Sequence, residues 1–494
     1  MKSKQASLLL ILAISLVTVQ PAIRGCSAQI PNILTLEAEQ HWDTYAVGGT
    51  CCYGTHNLFL ADIDGDGTLE IITGGFSYEA VNHTGSREAP FKIWTWDGKN
   101  VTLEKSEGWI GNIAAVYAAD ADGDGQMEVF TAGYAVNANG SGYAASLKVW
   151  SWNGEVLIQR ASYEGVPITS LCVSDVDGDG SPEVITVGRD YSSSNLCLWH
   201  LKSNTLTLDA TVELGDANAT TANSVYTGDV DGDGQTEIAV GGYANALNAS
   251  SGQLQIWGWN GEDFSLKADV EWRQVEGYAV NSAGGVQGNT VVNNVKVDDV
   301  DGDSVAEIVT GGFTYDGEKV AAQLRIWSWN QSKVALETSQ DWTTKDITEV
   351  KSVSINDDVD GDGRKEVVTS GVSAVYGSFG DTNETQVAQL RVFRWDGTDL
   401  KLTQKMDWVS GDGSCAWNVG TGDMDKDGVV EIVTVGCISV GNLCDPDMRV
   451  WSVAPLPVHV EFLLAVVAVA GAGVLSGIYF LAKNIGNKKQ VNPT

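Results

Sequence analysis

Basic residues are scarce in this sequence: 30 Lys and Arg stand against 64 Asp and Glu, giving a formal net charge of −34 over 494 residues. Without a basic face there is nothing to set against a phosphate backbone, so nucleic acid is excluded as a partner. Histidine is scarcer still. The five, His41, His56, His83, His200 and His459, are scattered, and no His-Glu-x-x-His, nucleophile elbow or phosphate-cradling loop occurs. The expectation is a chain that is not an enzyme. The alternative is a polysaccharide lyase or hydrolase whose carboxylate pair lies in loops without a readable motif. The eight cysteines match no zinc spacing.

Long apolar runs are confined to the two ends. Lys2 and Lys4 precede an apolar run from Leu8 to Val19, too short to span a bilayer, which reads as a secretory signal over residues 1–28. A lipoprotein reading at Cys26 is weakened by the adjacent Arg24-Gly25. Residues 462–482 are 21 positions without a charge, and Lys483, Lys488 and Lys489 follow. That length and those flanks predict a single transmembrane helix, with residues 483–494 cytoplasmic and everything before a short linker at 454–461 outside the cell. The competing reading is a buried core helix. The predicted localisation is thus a single-pass type I protein of the cell membrane, with residues 29–453 extracellular. An exported chain meets an oxidising environment. A disulfide between Cys437 and Cys444 is therefore expected, with Cys415 a candidate partner for Cys51 or Cys52.

Internal repetition organises residues 29–453. The pattern Asp-x-Asp-x-Asp-x-x-x-Glu begins at Asp62, Asp120, Asp175, Asp229, Asp299, Asp358 and Asp423. Each repeat offers four strand-like segments: a before the acidic loop, b after it, c carrying a Trp-x-Trp motif, and d following a polar turn. In the first repeat these are Asn57-Leu58-Phe59-Leu60, Glu70-Ile71-Ile72-Thr73, Ile93-Trp94-Thr95-Trp96 and Val101 to Trp109. Eleven of the 17 tryptophans fall in strand c and five more end strand d; only Trp417 lies outside the scheme. Aromatics repeating in register with strands are expected to fill the wedge between blades, in preference to forming a sugar-stacking platform. The last repeat stops at strand c, while an orphan strand d from Leu34 to Trp42 precedes the first. An all-β, seven-bladed β-propeller of four-stranded blades, its last blade closed by the N-terminal strand, accounts for this count. The transmembrane helix is expected beside it.

The acidic loops have the composition of metal sites. Carboxylates at positions 1, 3, 5 and 9, with a carbonyl at position 7, make a hard-oxygen shell suited to Ca²⁺; Mg²⁺ prefers fewer carboxylates and more retained water. In the first loop the predicted ligands are Asp62, Asp64, Asp66, Thr68 and Glu70, and in the second Asp120, Asp122, Asp124, Gln126 and Glu128. The third has Asp175, Asp177, Asp179, Ser181 and Glu183; the fourth has Asp229, Asp231, Asp233, Gln235 and Glu237. The fifth has Asp299, Asp301, Asp303, Val305 and Glu307; the sixth has Asp358, Asp360, Asp362, Arg364 and Glu366. The seventh has Asp423, Asp425, Asp427, Val429 and Glu431. Up to seven Ca²⁺ are expected. An acidic hairpin without metal would leave four carboxylates in mutual repulsion. Weaker binding is expected where Ser304 replaces a glycine in the fifth loop and Lys426 replaces one in the seventh.

These repeats resemble the FG-GAP or VCBS-type repeats of integrin α-subunit propellers and their microbial relatives. The resemblance spans residues 34–453. It implies a seven-bladed propeller with calcium on one face and ligands on the other. The FG and GAP elements are reduced to pieces such as Gly74-Gly75-Phe76, Gly241-Gly242-Tyr243 and Gly311-Gly312-Phe313, so integrin ligand preference does not carry over. The expected function is adhesion or recognition of an extracellular protein or glycan, with a structural role in the cell envelope as another alternative. Long polar segments at Arg273–Asn293 and Ser373–Ala388 are where a ligand face would concentrate. Seven Asn-x-Ser/Thr sequons, at Asn82, Asn100, Asn139, Asn218, Asn248, Asn330 and Asn383, predict glycosylation. Sugars on the b–c loops would crowd that ligand face.

Overall fold

Strand burial follows the repeat. Strand b of the third repeat, Glu183–Arg189, is buried along nearly its whole length, whereas strand d, Thr205–Glu213, alternates exposed and half-buried residues. A strand covered on both faces reads as a continuous apolar run, and one covered on a single face reads as an alternation. The computed structural model describes residues 32–455 except 43–53, 80–85, 137–142, 166, 190–192, 216–219, 247–248, 274–288, 316–317, 356, 376–384 and 441–442. Residues 34–453 form one part, and the terminal stretches 1–33 and 454–494 are grouped apart from it.

The described strands make five hydrogen-bonded sheets, which corrects the expectation of seven separate four-stranded blades. Two sheets hold two repeats each. The first and second repeats share one 19-residue strand, Val101–Ala119, which ends one repeat and begins the next; this gives a seven-stranded sheet from Gly54 to Glu164. The fifth and sixth repeats are joined by a single parallel pairing of Val320 with Ile347 into an eight-stranded sheet spanning Thr290–Asp298 to Leu400–Trp408. The third repeat, from Ser170–Ser174 to Thr205–Glu213, and the fourth, from Thr220–Gly228 to Phe264–Trp272, are separate four-stranded sheets. The fifth sheet pairs strand Asn32–His41 with Leu443–Pro455, followed by Glu431–Val440 and Gly413–Gly422. The N-terminal strand thus completes the last sheet. A second correction concerns helices. Every described element is a strand, and among the described residues no helix is long and apolar enough to cross a membrane. Segments 1–28 and 462–482 lie outside the described residues.

One strand of each repeat lines a central cavity of about 360 Å³, whose walls include Asn57, Tyr117, Ser170, Tyr226, Lys296, Ser352 and Asn418. Six of these first strands carry a bulge at the same place, as between Ala222 and Ser224 or between Val292 and Asn294. The amides beside the bulges link one repeat to the next: Asn57 donates to the Ile113 carbonyl, Asn223 to Val292 and Asn293 to Val350. The bulge also explains the paired glycines within strand b. A Cβ on Gly242 would lie 1.9 Å from the Thr221 carbonyl, and one on Gly312 would lie 2.0 Å from the Val291 carbonyl.

The tryptophans occupy the junctions. All eleven in strand c are buried. The aromatic ending strand d of one repeat packs on the strand c aromatic of the next: Trp109 on Trp150, Tyr163 on Trp199, Trp272 on Trp327, Trp342 on Phe393 and Trp408 on Trp451. Trp42 packs on Trp94 with ring centroids 4.8 Å apart, continuing the pattern from the last repeat to the first. Wedge-shaped gaps between radially arranged sheets need bulky, rigid side chains, and these supply them.

Candidate metal centres

Each acidic loop is a tight turn held by its own carboxylates. Positions 4 and 6 have positive φ in all seven loops, between 61° and 90°, including the two non-glycine residues Ser304 (75°) and Lys426 (61°). Glycine adopts this region without steric cost, whereas other residues do so under strain. The turn aims backbone N–H groups at the carboxylates. Position 7 donates to the position 5 carboxylate throughout, as from Ser181 to Asp179 at 2.7 Å. In six loops position 6 donates to position 1, as from Gly234 to Asp229 at 2.9 Å; the first loop instead uses Gly65 to Asp62. The ninth-position glutamate is buried in every loop, and its Oε2 accepts the N–H of position 2. Glu70 accepts from Ile63 at 2.9 Å, and Glu128, Glu183, Glu237, Glu307, Glu366 and Glu431 do the same.

This frame fixes one glutamate oxygen and leaves the other facing the aspartates. Burial, reinforced by the neighbouring aspartate charges, pushes Glu70, Glu128, Glu237, Glu307 and Glu431 up to about 7 and Glu366 to about 8; Glu183 is raised for the same reasons. In the sixth loop one oxygen each from Asp358, Asp360, Asp362 and Glu366 lie within 4.8 Å of one another. Glu366 Oε1 there is buried without a hydrogen-bond partner, as is Asp423 Oδ1 in the seventh loop. Convergent hard oxygens with unsatisfied lone pairs fit a divalent cation of the calcium type. The aspartates at positions 1, 3 and 5 and the glutamate at position 9 would hold it.

The loops lie at junctions between repeats, a placement the sequence reading did not give. In five of the seven, the turn joining strands c and d of the following repeat sits against the loop. A Cβ on Gly154 would meet Asp64 at 3.0 Å, on Gly261 Asp177 at 3.3 Å, on Gly397 Asp301 at 2.7 Å and on Gly98 Asp425 at 2.5 Å. Gln331 donates to Asp233 at 3.2 Å from the equivalent turn of the fifth repeat. The signal was present as the recurring Asp-Gly or Asn-Gly after Trp-x-Trp. In these turns the Asp or Asn side chain accepts two backbone N–H groups, as Asn153 does from Glu155 and Val156.

The Lys426 ammonium of the seventh loop donates to the Asp66 carbonyl of the first loop at 3.3 Å. Three further basic side chains lie beside loops without having been anticipated. Arg394 pairs with Asp362, and His200 Nε2 lies 2.9 Å from Glu183 Oε1. Arg160 bridges Asp122 and Glu128.

Of the predicted glycosylation sites, Asn100 and Asn330 are exposed at turns between strands c and d. Asn82, Asn139, Asn218, Asn248 and Asn383 lie outside the described residues, as do most of the two long polar segments. Cys437 is buried; the strand register sets it opposite Cys415 on one side and Pro446 on the other, with Cys444 opposite Ser439. The side chain of Cys444 is outside the described residues.

A family model described as FG-GAP-like repeat matches residues 175–240, which run from the third acidic loop through the fourth. Among curated proteins no relative matches this sequence. Solved structures with similar chains include the exotype rhamnogalacturonan lyase YesX, at 14% identity and TM-score 0.43, covering 84% of this chain and 75% of the lyase. Sqt1 from Chaetomium thermophilum is similar at 13% identity and TM-score 0.42, covering 84% of this chain and all of the other. Likeness at this level bears on neither chemistry nor partner. The matched repeat, recurring as acidic loops between strands around a central cavity, makes this chain an FG-GAP repeat β-propeller protein.

Proposed function

We propose that this protein is a calcium-stiffened recognition module that works outside the cell, binding an extracellular protein or glycan without turning it over. The observation carrying this reading is the sevenfold recurrence of one carboxylate loop with a buried ninth-position glutamate, whose four ligand oxygens converge within 4.8 Å in the sixth loop. Such a site needs calcium at the concentrations found outside cells, where modules of this kind bind it with Kd of about 10⁻⁴–10⁻³ M. The ion would not be catalytic. Its shell of four carboxylates leaves little room for substrate, and its place between a loop and the next repeat's turn suits a structural tie. Recognition then falls to the loops that such a scaffold holds in place.

The test is a binding screen of the purified chain against glycans and surface proteins, with millimolar calcium and with EDTA. Saturable, calcium-dependent binding without product formation is the expected result. Polysaccharide turnover would overturn the reading in favour of an enzyme, and self-assembly without ligand would favour an envelope component.

A further inference from the structure

We infer that the second acidic loop is not a calcium site, because Arg160 already serves as its cation. Arg160 belongs to strand Leu157–Glu164 of the same repeat, at the bulge between the pairs Val149–Ala161 and Trp150–Gln159. A bulge re-aims a side chain. Here it turns the guanidinium toward the loop. Nη1 donates to Glu128 Oε1 at 3.0 Å and Nη2 to Asp122 Oδ2 at 3.1 Å, so positions 9 and 3 of the ligand set are both engaged. The other side of the fork reaches the following repeat: Nε donates to Asn204 Oδ1 at 2.7 Å and Nη2 to the Ser203 carbonyl at 3.1 Å. Four acceptors on two repeats are met by one rigid fork whose side chain is 18% exposed.

Two comparisons within the chain separate this loop from the others. In the other six, the position 5 N–H donates to the position 3 carboxylate at 3.1–3.2 Å. In the second loop that bond is absent: Asp122 Oδ1 is buried without a partner, and the Asp124 N–H keeps only the bond to Asp120 whose equivalent the third to sixth loops also make. Asp122 has turned from the calcium-type arrangement toward the arginine. The equivalent bulge positions in the first and fifth repeats are Glu104 and Glu337, which accept from Thr95 and Ser328 and bring no positive charge, and in the fourth Lys267, which packs beside Gly258. In the sixth loop Arg394 touches Asp362 alone, and the four ligand oxygens still converge. Among the described residues, only at the second loop does a cation span two ligand positions. Guanidinium is always charged and matches carboxylates in a fork, so it neutralises the loop and ties it to the next turn at any calcium concentration.

This inference rests on the reading of the remaining loops as calcium sites, and calcium stoichiometry separates the two. Bound calcium is measured by equilibrium dialysis at saturating calcium for the wild-type chain and for Arg160→Met, Asp120→Ala and Asp64→Ala. Arg160→Met should bind one equivalent more than wild type, and calcium should raise its melting temperature by more. Asp120→Ala, in the second loop, should bind as many as wild type, while Asp64→Ala, in the first, should bind one fewer. If Arg160→Met fails to fold, the Asp120→Ala count decides alone. Loss of one equivalent in Asp120→Ala, or an unchanged count in folded Arg160→Met, overturns the inference and leaves the calcium reading standing. No bound calcium in any variant overturns both.

Discussion

Trp199 has no solvent exposure, yet its indole N–H is satisfied at 3.0 Å by Thr186 Oγ1 of the neighbouring strand. The same bond joins Trp94 to Thr73, Trp150 to Thr131, Trp327 to Thr310 and Trp451 to Thr434. In the fourth repeat Val240 takes the threonine's place, and Trp257 donates instead to Gln255. A buried donor stripped of its acceptor costs about 1–3 kcal/mol. Thr186→Val, which keeps the shape, should destabilise by that amount in denaturant titration; no measurable change would mean the indole is satisfied elsewhere. The tryptophans were legible because they recur in register. Their threonines were not, since only the strand register, which sets Thr186 opposite Cys197, two positions from Trp199, brings the pair within reach. Lys296 was equally hidden. Its half-buried side chain lines the cavity with the amine 4.3 Å from the Tyr226 ring, and desolvation pushes it down to about 8 from 10.5. Between those two values the folded chain holds fewer protons than the unfolded one, so this residue's penalty shrinks as pH rises. Lys296→Met should therefore melt above wild type at pH 7, with the gap narrowing toward pH 10. A gap of the opposite sign would show that the aromatic contact outweighs the burial.

At the scale of elements, a glycine within strand b is set by its neighbour and not by its own strand. Gly133, Gly188, Gly242, Gly312, Gly371 and Gly436 each place their missing Cβ within 2.2 Å of a carbonyl on strand a or just before it. Gly242→Ala should cost about 1–3 kcal/mol or more, the range for overpacking a filled interior. It should leave the acidic loops intact, since Gly242 lies at the far end of the hairpin from them. A mutant melting with wild type would mean that strand a moves aside freely. From sequence, Gly241-Gly242 and its counterparts read as worn remnants of a motif; the structure gives them a steric job. The acidic loops were legible residue by residue because a fixed spacing of like charges has few explanations. Their cross-repeat contacts were not, because Gly98, Gly154, Gly261 and Gly397 meet carboxylates from an adjacent repeat. The merging of repeats into five sheets was hidden for a similar reason. Nothing in Val101–Ala119 announces that a strand ending one repeat runs unbroken into the next.

At the scale of the whole repeat array, closure depends on residues far apart in the chain. Arg449 pairs with Asp447 at 2.9 Å and reaches Glu39 at 2.5 Å, while His41 Nε2 lies 2.8 Å from Glu39. These contacts hold the N-terminal strand to the last repeat, beside the Trp42–Trp94 contact with the first. The acidic loops sit at such junctions too, so a bound ion would tie neighbouring repeats as well as one hairpin. A ligand that binds only the folded state stabilises by RT ln(1 + [L]/Kd). With millimolar calcium about 1–10-fold above Kd, each site contributes roughly 0.4–1.4 kcal/mol. Several such sites together should move the melting temperature visibly. The aromatic junctions and buried strands need no metal, so they should hold the sheets at room temperature. EDTA is therefore expected to lower the melting temperature while the far-ultraviolet circular dichroism at 25 °C keeps its strand signature. Asp64→Ala should cost less than full chelation. Asp301→Ala should cost less than Asp64→Ala, because the fifth loop already carries the strain of Ser304 at φ 75°. A melting curve indifferent to calcium and EDTA would remove the metal from these loops, and the recognition reading would lose its support.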